Sequence, residues 1–378
     1  MKLTRSTVLT AAARCPVADG TAPRLQRITD YPALLSEAWA QHVAPREANA
    51  PTVVSTFAGC GGSSLGYSMA GFRECLAVEW EQNAADTFRL NFPHVPLYHG
   101  DIAKLSVEEC LRLAGVAPGE LDVFDGSPPC QGFSTAGKRE IGDSRNQLFR
   151  EFVRLLSGLR PRAFVMENVS GMVKGDFKVI FAEILRTLKA CGYRVSARVL
   201  NAMWFGVPQS RERMIFVGVR DDLGVEPSHP LGWSEPVGLR VALSCVSRKH
   251  MPPMTWAEAF EAIPVGGSVA RSCSRELLAK FFPRMINNGS FNFNSYAQRQ
   301  RWERPSQTIE KVYKDVSPIH PEEHRHYSID EIKRVASFPD PVVMAGKFEQ
   351  RWARIGNSVP PLLMRSIARH VRKLVARA

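Results

Sequence analysis

With 378 residues, 44% of them hydrophobic, the chain is long enough for two domains, or for one large domain with a smaller one inserted, around a real core. No apolar run approaches membrane-spanning length, and Arg14 interrupts the apolar run at 8–13, so neither a transmembrane segment nor a signal peptide is expected and the location is cytoplasmic. An excess of 49 Lys plus Arg over 37 Asp plus Glu, a net charge of +12, favours a polyanionic partner, DNA or RNA first, although a basic chain can also bind nothing.

Residues 1–50 hold no sustained strand pattern and contain Pro16, Gly20, Pro23 and Pro45; they read as a peripheral N-terminal arm with one helix near 31–42. From Pro51 onward short apolar runs alternate with amphipathic stretches of helical length. Strands are predicted at 52–57, 74–78, 97–99, 121–125, 163–166, 194–200 and 214–219. That alternation implies an α/β domain with a mostly parallel sheet over 51–225. Pro- and Gly-containing segments follow, read as a second, smaller domain over 226–341. The final segment, 342–378, opens a helix after Pro360 and returns to the first domain. The eight cysteines show no C-x-x-C pair and no His/Cys ligand spacing, so reduced thiols are expected rather than zinc or disulfides.

Ligands of open α/β sheets bind beyond the carboxyl ends of the strands. The first predicted strand runs into Phe57-Ala58-Gly59-Cys60-Gly61-Gly62, a turn that admits close backbone approach, or that serves only strand-to-helix packing. The second ends in Glu79-Trp80, a carboxylate for a ribose beside an indole that can stack on a base. The third ends at Gly100-Asp101-Ile102, where a carboxylate can accept from an exocyclic amine. Together they outline an adenosine pocket. The glycine spacing does not fit the G-x-G-x-x-G pyrophosphate cradle, which favours S-adenosylmethionine over a dinucleotide and disfavours an oxidoreductase.

The fourth strand leads to Pro128-Pro129-Cys130, whose prolines fix the backbone ahead of a thiol able to act as a nucleophile, or simply buried as a small hydrophobe. The fifth ends in Glu167, a candidate proton donor or a helix N-terminal carboxylate. Arg211 and Arg213 precede the seventh and suit an anionic substrate or a solvated strand face. Later, Arg271, Arg275, Lys280, Arg284, Arg299, Arg301, Arg304 and Lys311 lie among Phe281, Phe282, Phe291, Phe293, Tyr296 and Trp302, a pattern suited to phosphate and base contact.

The ordered series formed by residues 57–66, 126–134, Glu167-Asn168-Val169, Gln209-Ser210-Arg211-Glu212-Arg213 and Arg354-Ile355-Gly356-Asn357-Ser358-Val359 resembles the DNA (cytosine-5) methyltransferases over about 51–378. Arg304-Pro305-Ser306-Gln307-Thr308-Ile309 is similar to a late motif of that family. The resemblance implies a Rossmann-like S-adenosylmethionine-dependent methyltransferase sheet with a smaller target-recognition domain. It implies Cys130 as the nucleophile at cytosine C6, Glu167 at N3, and Arg211 and Arg213 at the O2 edge of a flipped-out base. Phe57, Gly59, Gly61, Leu65, Glu79, Trp80, Asp101, Ile102, Pro129, Leu148 and Asn357 then hold the cofactor, and 132–146 closes over double-stranded DNA.

It further implies a bacterial, nucleoid-associated monomer, with a cognate restriction endonuclease as a partner that is not stably bound. The competing readings are a transfer RNA cytosine-5 methyltransferase, disfavoured because no Cys-Phe-Thr tripeptide occurs in the recognition region, and a non-catalytic DNA-binding regulator, which has no need of Cys130, Glu167, Arg211 and Arg213.

Overall fold

The computed structural model describes residues 25–129, 147–173, 177–247, 298–314 and 317–376, with shorter stretches between 250 and 291. The strands are β1 (Thr52–Thr56), β2 (Arg73–Glu79), β3 (Leu97–His99), β4 (Val123–Gly126), β5 (Ala163–Val169), β6 (Tyr193–Asn201) and β7 (Glu212–Arg220). Each lies at a predicted strand. Among the described residues they form one seven-stranded sheet in the order β3-β2-β1-β4-β5-β7-β6, with β7 antiparallel to both neighbours and the β1, β2, β3, β4 and β5 pairings parallel.

The helices used below are α1 (Tyr31–Val43), α2 (Gly62–Met69), α3 (Gln82–Asn91), α4 (Val107–Ala114), α5 (Gln147–Leu159), α6 (Phe177–Ala190), α7 (Ile329–Val335), α8 (Phe348–Asn357) and α9 (Pro361–Val375). Successive strand residues point to opposite faces, so Val53, Val123 and Val165 enter one core while Val54, Phe124, Phe164 and Met166 enter the other. Both faces are covered, which is why these strands read as unbroken apolar runs rather than as alternations. Residues of α2 and α9 fill the first core and those of α4 and α5 the second. The helices that follow β1 and β4 thus lie on opposite faces, and the strand order reverses between those two strands. A crevice at their carboxyl ends is the usual consequence.

Two boundaries differ from the sequence reading. Helix α1 forms where expected, capped by Asp30 and with Pro32 in its first turn, but its Tyr31, Leu35 and Ala38 are buried in the first core. This part of the arm is core, and burial of Leu35 alone contributes about 2 kcal/mol. At the other end, Leu239, Leu243, Ile309, Tyr327, Ile332 and Val335 also belong to the core that covers the sheet, although they fall in the region expected to form the recognition domain. Phe260, Ile263, Val269 and Ile319 are buried outside both sheet cores. Arg299, expected among the phosphate contacts, is buried, and its guanidinium donates to the carbonyls of Ile263, Phe260, Glu322 and Glu323. It staples this smaller unit together. Arg271, Lys280, Arg301, Arg304 and Lys311 are exposed, whereas Arg275, Arg284, Phe281, Phe282, Phe293 and Tyr296 lie outside the described residues.

The last segment packs against helices α2 and α3 beside the sheet. Asn91 Nδ2 donates to Val343 O at 2.8 Å, Val343 N donates back to Asn91 Oδ1 at 2.9 Å, and Asn83 Nδ2 donates to Ala345 O at 3.0 Å. Helix α9 then lies so close to α2 that a Cβ on Gly66 would sit 2.5 Å from Met364 Cβ, which only glycine permits.

Candidate active site

After β1 the chain turns through left-handed conformations at Phe57 (φ 56°), Gly59 (φ 59°) and Gly61 (φ 89°) before α2 begins. A bulky residue at positive φ is held there against its own preference, a kind of strain concentrated at ligand sites. The turn is fixed from β2: Glu79 Oε2 accepts from Gly59 N at 2.7 Å, while its Oε1 accepts from Trp80 N at 3.0 Å and Glu81 N at 2.8 Å. One carboxylate therefore shapes both the turn and the start of the next segment.

Beside it lies a cavity of about 320 Å³. Phe57, Glu79 and Trp80 line it from the first two strand ends, Asp101 and Ile102 from the third, and Pro129 and Leu148 from beyond β4. These are seven of the eleven cofactor residues expected from sequence. Asp101 Oδ1 also accepts from Ala103 N at 3.0 Å, capping the turn after β3. Trp80 is 76% exposed at the cavity, a large indole that no core packing explains.

The other four residues do not line the cavity. Leu65 is wholly buried in the core, a packing residue rather than a contact, because α2 points it inward. Gly61 is the N-cap of α2, where a Cβ would meet the Phe92 ring at 2.3 Å. Gly59 offers its N–H to Glu79 and faces open space. Asn357 is exposed at the end of α8, next to Ser358, whose Oγ lies 3.0 Å from Cys60 Sγ of the glycine turn.

Cys130 and the expected closing loop at 132–146 lie outside the described residues. What precedes the cysteine is well fixed: Asn168 Nδ2 donates to Pro128 O at 3.1 Å, and Asn168 Oδ1 accepts from Val169 N at 2.8 Å. Sequence reasoning quoted Asn168 in a motif without giving it a task. Its neighbour Glu167 is largely enclosed, and its Oε1 lies 2.7 Å from Arg213 Nε.

Arg211 behaves differently from Arg213. It is buried, and its two terminal nitrogens donate to Ile309 O and Gly356 O, each at 3.0 Å. Burial, reinforced by the Arg213 charge, pulls its pKa down to about 9. A guanidinium spent on two carbonyls is a bracket for the chain, not a free edge for a base. Gln209, quoted in the same motif without a task of its own, does similar work: its Oε1 accepts from Ile309 N at 3.1 Å. Ser210 N donates to Ser306 O at 2.8 Å, so the segment after Pro305 is laid along the segment before β7. A polar run leading into an apolar strand was the available signal.

Residues 52–373 match the family model of C-5 cytosine-specific DNA methylases. The chain belongs to this family. Among relatives of this methylase, the Type II methyltransferase M1.HphI of Haemophilus parahaemolyticus is 35% identical over 85% of this chain and 87% of its own. The Type II methyltransferase M.Sau96I of Staphylococcus aureus is 32% identical over 84% of this chain and 74% of its own. A crystal structure described as that of a prophage-encoded DNA modification methyltransferase of E. coli superposes with a TM-score of 0.65 at 26% identity, covering 86% of this chain and 100% of that one.

Methylases of this family act on cytosine C5 in DNA and use S-adenosylmethionine as methyl donor. The site fits that cofactor. The cavity presents an apolar floor, an exposed indole able to stack on adenine, and the Glu79 and Asp101 carboxylates able to accept from ribose hydroxyls and an exocyclic amine. No helix among the described residues is long and apolar enough to cross a membrane.

Proposed function

We propose that this DNA (cytosine-5) methyltransferase works through Cys130, Glu167 and Arg213 at the crevice between β1, β4 and β5, on a cytosine flipped out of the duplex. The observation that carries the assignment is the ion pair of Glu167 on β5 with Arg213 on β7: β5 adjoins β4, whose following residues, Pro128 and Pro129, lead directly to Cys130. The bound cofactor supplies a sulfonium-activated methyl group. The Cys130 thiolate adds to C6 of the ring, breaking the C5=C6 π bond and making C5 nucleophilic towards that methyl. Glu167 holds a proton or hydrogen bond at N3 as charge develops, and Arg213 orients Glu167 and reaches the O2 edge. Loss of the C5 proton and departure of the thiolate restore the aromatic ring.

Arg211 is assigned a positioning role because both terminal nitrogens are engaged with carbonyls. Phe57, Glu79, Trp80, Asp101, Ile102, Pro129 and Leu148 hold the cofactor, Gly59 and Gly61 shape the turn beside it, and Asn357 stands next to Ser358, which contacts Cys60 of that turn. The region within 226–341 that is buried apart from the sheet cores selects the target sequence, and 132–146 closes over the duplex. The names of the relatives support a restriction-modification setting, with a cognate endonuclease that recognises the same DNA without forming a stable complex. A monomeric, cytoplasmic bacterial enzyme is the accompanying reading.

The test is expression from a plasmid in a methylation-deficient host, with bisulfite sequencing, for the wild type and Cys130→Ala. Protected cytosines in one recurring motif, lost in the variant, are the expected result. No protection with either protein, or equal protection with both, overturns the assignment.

A further inference from the structure

Behind the site, Tyr67 Oη donates to Asp125 Oδ1 at 3.1 Å, with both side chains buried. Tyr67 belongs to α2, the helix that leaves the glycine turn, and Asp125 to β4, the strand that leads to Cys130. The backbone of Asp125 is tied as well: its carbonyl accepts from Thr56 Oγ1 of β1 at 3.0 Å. Gly126, the next residue, has no room for a side chain, since a Cβ would lie 2.4 Å from Thr56 Oγ1.

The surroundings of Asp125 are acidic. Its titratable neighbours are Tyr67 of α2, Glu74 of β2 and Glu167 of β5. The Glu74 carboxyl is enclosed too, with Oε1 accepting from Ser64 Oγ at 2.8 Å and Oε2 buried without a partner. Glu167 is already committed to Arg213. Burial first, and the neighbouring acids second, raise Asp125 to about 8, and burial raises Glu74 to about 7. An ionised Asp125 would be a buried charge facing two further carboxyls.

We propose that Asp125, held by Tyr67, is a positioning residue that locks the cofactor turn to the end of β4, the strand that leads to Cys130. This rests on the assignment of Cys130 above. The hydrogen bond joins the two halves of the crevice from below, so the relative placement of methyl donor and thiolate depends on it. Placement errors on the order of 1 Å cost about 10²-fold in rate.

The sign of the pH effect follows from the raised pKa. Stability from this group is fully present below its unfolded value near 3.8 and is lost as pH rises towards about 8. Ionisation keeps the Tyr67 hydrogen bond but sets a buried charge against the Glu74 and Glu167 carboxyls, and that repulsion displaces β4, so the rate of methyl transfer falls through the same upper value.

The experiment compares wild type, Asp125→Asn, Asp125→Ala and Tyr67→Phe by single-turnover methyl transfer on duplex DNA from pH 6 to 9.5, and by melting over pH 4.5 to 9. Expected for Asp125→Ala is a transfer rate lower by about 10²-fold. Asp125→Asn, a permanent neutral isostere, restores most of the rate and lacks the alkaline fall near pH 8. Its unfolding releases one proton fewer between pH 5 and 7. Tyr67→Phe, which removes one hydroxyl and keeps the ring, moves the alkaline fall upward, because the lost hydrogen bond was favouring the ionised form.

An Asp125→Asn profile identical to wild type, or full rate in Asp125→Ala, overturns the proposal. If Asp125→Ala does not fold, the Asp125→Asn and Tyr67→Phe profiles decide. Cys130→Ala, carried in parallel, separates the two claims: retained transfer there refutes the nucleophile, whatever Asp125 does.

Discussion

Arg213 meets Glu167 across the antiparallel pairing of β7 with β5, with Nε 2.7 Å from Oε1, and Val169 stands opposite Arg213 in the register. The contact is a diagonal one between neighbouring strands, so the sheet itself sets its length. Glu167→Gln is expected to lower single-turnover methyl transfer on the order of 10²-fold or more, the usual worth of a positioned acid. Arg213→Ala is expected to cost a similar factor, and the double variant little beyond either. Additive losses in that cycle would show that the two side chains act separately.

Trp80 offers a cleaner separation of binding from folding. It is 76% exposed and contributes little to the core. Trp80→Ala should change the unfolding free energy by less than about 0.5 kcal/mol. Loss of a stacking partner worth about 0.5–1.5 kcal/mol weakens cofactor binding by up to roughly tenfold. Isothermal titration with S-adenosylmethionine, beside a denaturant melt, reads both quantities.

Arg211→Met removes the bracket between β7, Ile309 and Gly356. Hydrogen bonds from a charged donor contribute about 1.5–3 kcal/mol, so a destabilisation of about 3 kcal/mol is expected in urea unfolding. Arg211→Lys should fare little better, since a single ammonium does not reproduce the two-pronged geometry. A lysine variant of wild-type stability would contradict this.

The helix α7, which packs into the core over the sheet, has its own electrostatic anchor. Arg325 makes two hydrogen bonds to Glu331, at 2.7 and 2.8 Å, and Glu331 closes a capping box with Ser328 at the start of α7. Burial pushes the Glu331 carboxyl up, but Arg325 outweighs it and holds the pKa below 4.5. The stability it contributes is therefore present above pH 4.5 and lost as pH falls through the depressed value. Arg325→Met should cost about 3–5 kcal/mol at neutral pH by stranding the carboxylate. It should also reverse the trend: the stranded acid now titrates above its unfolded value, so acidification recovers part of the loss. Denaturation series from pH 3 to 7 test both.

The strands and their ends were legible because a sheet covered on both faces demands apolar runs, and because ligand chemistry gathers where those runs stop. Phe57, Glu79, Trp80, Asp101 and Ile102 were read on that basis, whereas Pro129 and Leu148 came from the family resemblance. Burial of a charged side chain was not legible. Arg211 and Arg299 look like ligands for phosphate or base in a sequence, since charge is visible there and the backbone carbonyls that absorb it are not. The burial of Leu65 was not legible for a related reason, because the direction in which a one-residue step on α2 points is set by α9, remote in sequence. The spacing Tyr31, Leu35, Ala38 carried a helical stripe, yet nothing local says what that stripe packs against.

The contact of Cys60 with the Arg354 carbonyl spans 294 residues, and Gly62 and Gly66 fit only against residues of the same distant stretch. During synthesis, the turn that receives the methyl donor emerges from the ribosome long before the surface that gives it shape. A chain interrupted before α8 thus carries Cys130 and Glu167 with a glycine turn that lacks its packing partners, and is expected to transfer no methyl group.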